Sequence, residues 1–228
     1  MTDDTPRVPV TAPGRLGTAG LVRRLLAAEV AGYRSIGRWL RRRPAVPADH
    51  EPVGYSQIVG PMLWLFVFGS AVEVPVVHVL LHRWPAVQWP VTVVGVWSLV
   101  WMIGLLAALR THPHLLGPAH LRVRAGATVD VAVPYDEVVA VVTSERELPD
   151  SLKTVWAEEE TDGVGVWYAV GVSGRTNVQL RLARPLAVPA PGLRAAGEVG
   201  ATTIGLWADD PRALRRALEE RLAAARRG

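Results

Sequence analysis

Glu73 is the residue that first invites chemistry. It is the only acidic or basic side chain in the run 58–81, whose 24 residues are otherwise apolar apart from Ser70 and His78. An ionisable group in such a run is costly in a bilayer, and is a functional candidate by default. Pro75 follows two residues later and removes one backbone hydrogen bond. Ser70, three residues earlier, shares its side of a helix. Two uses are open. Glu73 either makes a structural hydrogen bond, to Trp97 or Ser98 of a second helix or to another copy, or it handles a proton, an ion or a small ligand.

His78 and His82 are four residues apart, so they share a helix face. That spacing can offer two imidazoles to a metal. Glu73 lies about 140° and about 180° around the helix from them, so a metal site there needs another chain or a kink at Pro75. His112, His114 and His120 follow the next apolar run and cannot join the first pair. No metal site and no cofactor are expected.

The chain has no cysteine, which excludes a disulfide framework, thiolate metal sites and a cysteine nucleophile. It has no Gly-rich phosphate loop with a lysine, no G-x-S-x-G and no H-E-x-x-H. The acidic run 158–160 is expected as a solvated loop. An enzyme is not expected.

The elements that must position these residues follow from where the apolar side chains lie. Half of the 228 residues are hydrophobic and 20% are charged, which excludes an intrinsically disordered chain. The excess is concentrated in the run 58–81 and in the run 91–109, which carries no charge. About 20 residues of helix cross a hydrocarbon core. The two runs therefore predict a transmembrane hairpin over 58–110. Trp84 and Trp89 in the connection, and Trp64 and Trp101 near the other ends, suit membrane interfaces. Gly104 and Ala108, four apart in the second run, permit close helix packing.

Residues 1–60 carry nine Arg against five acids, while the connection has only Arg83. The positive-inside rule then places both termini in the cytoplasm, at the plasma membrane. Residues 115–228 hold 14 basic and 15 acidic residues. That balance gives no basic excess for nucleic acid, which is not an expected partner.

Residues 1–17 read as a disordered tail, and 44–57, with three prolines, as a linker. Between them, 18–43 predicts a basic amphipathic helix. Leu21, Val22, Leu25, Leu26, Tyr33, Ile36, Trp39 and Leu40 fall on one face, and Arg23, Arg24, Arg34, Arg38, Arg41 and Arg42 on the opposite one. Such a helix suits an anionic leaflet. Its apolar face equally suits protein packing. Glu29, in the middle of that face, points to a protein partner.

Beyond residue 114 the period changes to two. Residues 121–124 and 128–133 alternate around Ala125-Gly126 and predict a β-hairpin. Strands are expected over 138–142, 164–170, 177–182 and 202–207, with turns at 161–163 and at Ser173-Gly174. The Pro- and Gly-rich stretch 184–200 is expected as a loop. Asp209-Asp210-Pro211 signals a helix start, and Leu214, Leu218 and Leu222 give the helix 210–226 an apolar stripe. Residues 115–228 thus form an α+β domain of antiparallel strands closed by a C-terminal helix.

Two segments carry a resemblance. Val131-Ala-Val-Pro-Tyr-Asp-Glu-Val-Val-Ala-Val141, near the start of a run of strands after a membrane hairpin, resembles the bacterial pleckstrin-homology-like (PH-like) domains. Thr203-Ile-Gly-Leu-Trp207 running into Asp209-Asp-Pro-Arg-Ala-Leu214 resembles their last strand and closing helix. The arrangement is similar to uncharacterised actinobacterial integral membrane proteins with two helices and such a domain. The resemblance covers about 55–225 and implies a fold and a location, without an activity. The expected role is a non-enzymatic, membrane-tethered binding or scaffold protein that displays a PH-like domain in the cytoplasm. Its expected partners are the lipid bilayer and a protein, or a second copy of itself. The alternative is an oligomer handling a proton, ion or small ligand through Glu73 with His78.

Overall fold

The computed structural model describes residues 14–150, 153–160, 165–192 and 195–227. The expected turn at 161–163 and most of the expected N-terminal tail lie outside them. A two-residue strand β1 (Gly14–Arg15) precedes helix α1 (Thr18–Leu40). Strand β2 (Glu51–Val53) leads into α2 (Gly60–Leu80) and α3 (Pro85–Thr111). The β-domain follows with β3 (His114–Leu116), β4 (His120–Ala125), β5 (Val129–Pro134), β6 (Val138–Glu147), β7 (Val155–Glu159) and β8 (Val166–Val170). It ends with β9 (Arg175–Pro189), β10 (Ala195–Ala196), β11 (Glu198–Leu206) and helix α4 (Pro211–Ala225).

Helices α2 and α3 are each long and apolar enough to cross a membrane. Only 6% and 22% of their most apolar windows are buried in the protein, so they are not the core helices of a globular domain. At about 1.5 Å per residue α3 is about 40 Å long. It begins at Pro85, six residues before the expected start, because proline is tolerated in the first helical turn. The connection is correspondingly short. Pro75 and Pro90 lie inside α2 and α3, which run on through them.

The hairpin is tied along its length. A Cβ on Gly95 would meet Val74 Cγ2 at 2.9 Å, so glycine sets the closest approach of α2 and α3. At the far end the His78 Nδ1–H donates to Thr92 Oγ1 (2.8 Å), and Gln88 Nε2 donates to His78 Nε2 (3.1 Å). Thr92 in turn donates to the Gln88 carbonyl at 2.8 Å. At the domain end the Arg110 guanidinium lies over the Trp64 ring at 5.8 Å, and Trp39 of α1 packs on Trp64 at 6.0 Å.

Helix α1 packs on α3. Glu29 meets Trp97, Gly32 meets Gly104 and Arg38 meets His112, so the two helices run in the same direction. A Cβ on Gly104 would lie 3.5 Å from the Gly32 backbone. The small-residue pattern at Gly104 thus serves α1, not the hairpin. Ser35, fully buried, donates to the Ala31 carbonyl on the same side of α1. The leucine edge stays outside, with Leu25, Leu26, Val30 and Leu40 exposed. Arg42 adopts a left-handed conformation (φ 50°) just past the helix, and Arg43 N–H donates back to the Arg38 carbonyl. This is the chain reversal that glycine normally makes.

Two sheets build the domain. One has the order β2-β3-β4-β5, and the other β6-β9-β11-β8-β7. Neighbours are antiparallel except β8 and β11, which pair in parallel. The core lies between the sheets and under α4, whose Leu214, Leu218 and Leu222 are buried. Each contributes about 2 kcal/mol by burial. Asp210 caps α4, accepting from Ala213 N–H at 2.9 Å.

Three expectations need correction. The stretch 184–200 is not a loop. Strands β9 and β11 pair through it, from Leu186 opposite Ala201 out to Pro189 opposite Glu198, and form a long arm. Pro185 falls at the register shift between β9 and β11, where a missing donor is tolerated. The segment 44–57 is not only a linker, because β2 pairs with β3 and belongs to the domain. The acidic residues Glu158 and Glu159 are not in a loop but on β7, an edge strand, where charge discourages further pairing.

Candidate functional site

The β-domain grips both feet of the hairpin. Gly54 and Tyr55 lie between β2 and α2. Asp209 N–H donates to the Gly54 carbonyl, and Asp209 Oδ1 accepts from Gln57 N–H at 3.0 Å. A Cβ on Gly54 would lie 2.7 Å from the Asp209 carboxylate and would displace it. Partial burial raises the Asp209 pKa. Asp209 therefore does not cap α4 but fastens the entry to α2, a role its neighbour Asp210 masks in the sequence.

The exit is fastened by His114. Its Nε2–H donates to the Trp207 carbonyl at 2.9 Å, and its Nδ1 accepts the Arg124 N–H at 2.9 Å. Two fixed partners of opposite kind select the neutral tautomer. Complete burial, against the help of the Trp207 carbonyl, pulls the imidazole pKa down to about 4. The Tyr55 ring packs on His114 at 4.6 Å, and its oxygen accepts Gly126 N–H at 2.8 Å. Burial pushes the Tyr55 phenol up to about 12. Thus the entry residue, the exit residue and the β4–β5 turn form one buried cluster.

Above this cluster lies a cavity of about 770 Å³. The helices supply an apolar wall, with Leu25 of α1, Met62 and Phe66 of α2, and Val100, Trp101 and Leu105 of α3. The domain supplies a polar rim, with Lys153, Thr154 and the Ser173-Gly174 turn. Ser173 (φ 52°) and Gly174 (φ 71°) are both left-handed, which gives the tight turn expected at these residues. Met62, Phe66, Trp101 and Leu105 are all exposed, so the cavity opens sideways between α1 and α2. Pockets of about 300–1,000 Å³ with apolar walls and a few polar groups are the usual form of small-molecule sites.

The charges around it are specific. Glu29 lines the helix side, where its carboxylate accepts from Tyr33 Oη (2.7 Å) and Trp97 Nε1 (2.9 Å). Arg122 and Arg124 both bond to Asp130, and Arg124 also donates to the Ala45 carbonyl. Lys153 is the one lysine of the chain. It lies 4.5 Å above the Trp156 ring and 3.5 Å from Asp150, with half of its side chain exposed.

The residues singled out from the sequence are dispersed. Glu73 is exposed on α2 and makes no hydrogen bond or ion pair among the described residues, with Trp97 and Ser98 or otherwise. His78 lies between α2 and α3 with both ring nitrogens hydrogen-bonded, to Thr92 and Gln88. His82 donates from Nδ1 to the Val79 carbonyl at 2.8 Å. No group of three or more metal-ligating side chains occurs among the described residues. Of the six arginines, Arg24 donates to the Ala195 carbonyl in the β9–β11 arm and Arg38 to His112. Arg23, Arg34, Arg41 and Arg42 are exposed. The cavity itself escaped the sequence, because its walls come from seven separate stretches of the chain; Glu29 on an apolar face was the one visible signal.

A comparison with protein-family models, curated proteins and solved structures returned no match.

Proposed function

We propose that this protein is a membrane-anchored, non-enzymatic binding protein whose ligand site is the cavity at the junction of the helices and the β-domain. The observation that carries the reading is the cavity's construction, with an apolar wall from three helices and a polar rim from the domain. The exposure of α2 and α3 supports their insertion in a bilayer. The excess of arginine before α2 supports a cytoplasmic domain at the plasma membrane. Two sheets closed by a C-terminal helix agree with the PH-like arrangement that the sequence resembles. Clamping at Tyr55, Asp209 and His114 holds the domain against the membrane face, so a ligand in the cavity touches anchor and domain together. A protein docked on the domain would read that occupancy.

The test is chemical. Full-length protein is extracted from native membranes in mild detergent, denatured, and its released small molecules are weighed by mass spectrometry. One ligand per chain, lost when Leu105→Trp fills the cavity, is expected. Protein that carries nothing stoichiometric would remove the reading.

A further inference from the structure

We infer that the cavity takes one phospholipid drawn sideways from the bilayer, with its acyl chain along the helices and its phosphate at Lys153. The inference rests on the binding reading above and names its ligand class. Three observations lead to it. First, the opening faces the same surroundings as the exposed sides of α2 and α3, so in a membrane the molecules at the mouth are lipids. Second, the polarity is divided as in a phospholipid. Phe66, Val100 and Leu105 line the helix side, and Lys153, Thr154 and Ser173 line the domain side. The hydroxyls of Thr154 and Ser173 make no hydrogen bond among the described residues, so both can donate to a phosphate oxygen. Third, the charges give the ligand one orientation. The Glu29 carboxylate repels a phosphate from the helix side, while the Lys153 ammonium attracts it to the rim. Arg122 and Arg124, the other cations nearby, share Asp130 and are more buried; Lys153 also has Asp150 at 3.5 Å, but it is the most exposed of the three and the one a headgroup reaches. A net negative headgroup is therefore favoured over a zwitterionic one, whose own ammonium would oppose Lys153.

The experiment uses full-length protein freed of lipid in detergent and titrated with phosphatidylglycerol or phosphatidylcholine of equal chain length. Bound lipid is counted by native mass spectrometry. One phosphatidylglycerol per chain is expected, with phosphatidylcholine about five-fold weaker, since an exposed ion pair is worth that much. Lys153→Gln should bring the two lipids to equal affinity. Leu105→Trp, and Met62→Trp as a second filling variant, should lose both lipids. Leu65→Trp, on the exposed outer side of α2, should keep them. Equal retention by the filling variants and by Leu65→Trp would show only annular lipid and overturn the inference. So would equal binding of the two lipids by the wild type. If native membranes yield a stoichiometric ligand that is not a phospholipid, and Leu105→Trp loses it, the binding role stands and the lipid assignment falls.

Discussion

At the scale of single residues, the histidines show how far composition carries. Five of the six can be counted as metal candidates from spacing, yet four of these, His78, His82, His112 and His114, serve as hydrogen-bonding joints. His114 is the sharpest case. Its neutral form is held between an N–H donor and a carbonyl acceptor, and its pKa falls from near 6.5 in the unfolded chain to about 4 in the folded one. The stabilisation is fully present above pH 6.5 and is lost as pH falls towards 4, because the unfolded state takes up the proton first. The loss amounts to about 3 kcal/mol over that window. Burial lowers the His112 pKa too and adds to the same slope. Thermal unfolding of the full chain in detergent should therefore show a midpoint that drops steeply from pH 6.5 to 4. His114→Gln should be less stable at pH 7 and flatter across the window. A variant slope equal to the wild type would contradict this role.

At the scale of elements, the strongly periodic segments were legible and the irregular ones were not. The expected helices 18–43, 58–81 and 210–226 match α1, α2 and α4 to within three residues. The alternation at 121–124 and 128–133 is β4 and β5. What failed was the reading of proline as punctuation. Pro85 opens α3 instead of marking a loop, and Pro185 and Pro189 lie within β9, in an arm where the ladder carries fewer bonds. Pairing partners distant in sequence, such as β2 with β3 across the hairpin, leave no local period to detect. Helix α1 is instructive in another way. Its leucine face drew attention, but its contact with α3 runs through Gly32 and Gly104, residues with no hydrophobic signal. Gly104→Leu should push α1 from α3 and break the Glu29–Trp97 bond. Tryptic cleavage after Arg23 and Arg34 should then accelerate about ten-fold through local opening, while Gly104→Ala stays near wild type. Unchanged cleavage in the leucine variant would mean the two helices do not pack this way.

At the scale of the whole molecule, anchor and domain are one construction. The chain enters the domain at β2, leaves it for the hairpin, and returns at β3, so the sheet is closed only with residues on both sides of the two apolar helices. An excised fragment 115–228 lacks β2, Tyr55 and His114. Its Arg124 and Gly126 amides, whose acceptors in the intact protein are His114 Nδ1 and Tyr55 Oη, should exchange with deuterium much faster than in the full chain. The β9–β11 ladder should keep its protection. Equal protection of all these amides in both forms would mean that the domain is independent of its anchor. The same shared construction encloses the cavity. The most direct measurement is therefore the number of small-molecule ligands carried per chain by full-length protein taken from native membranes, compared with Leu105→Trp. One ligand in the wild type and none in the variant is the predicted result. An empty wild type, or a variant loaded as fully as the wild type, would contradict the binding role.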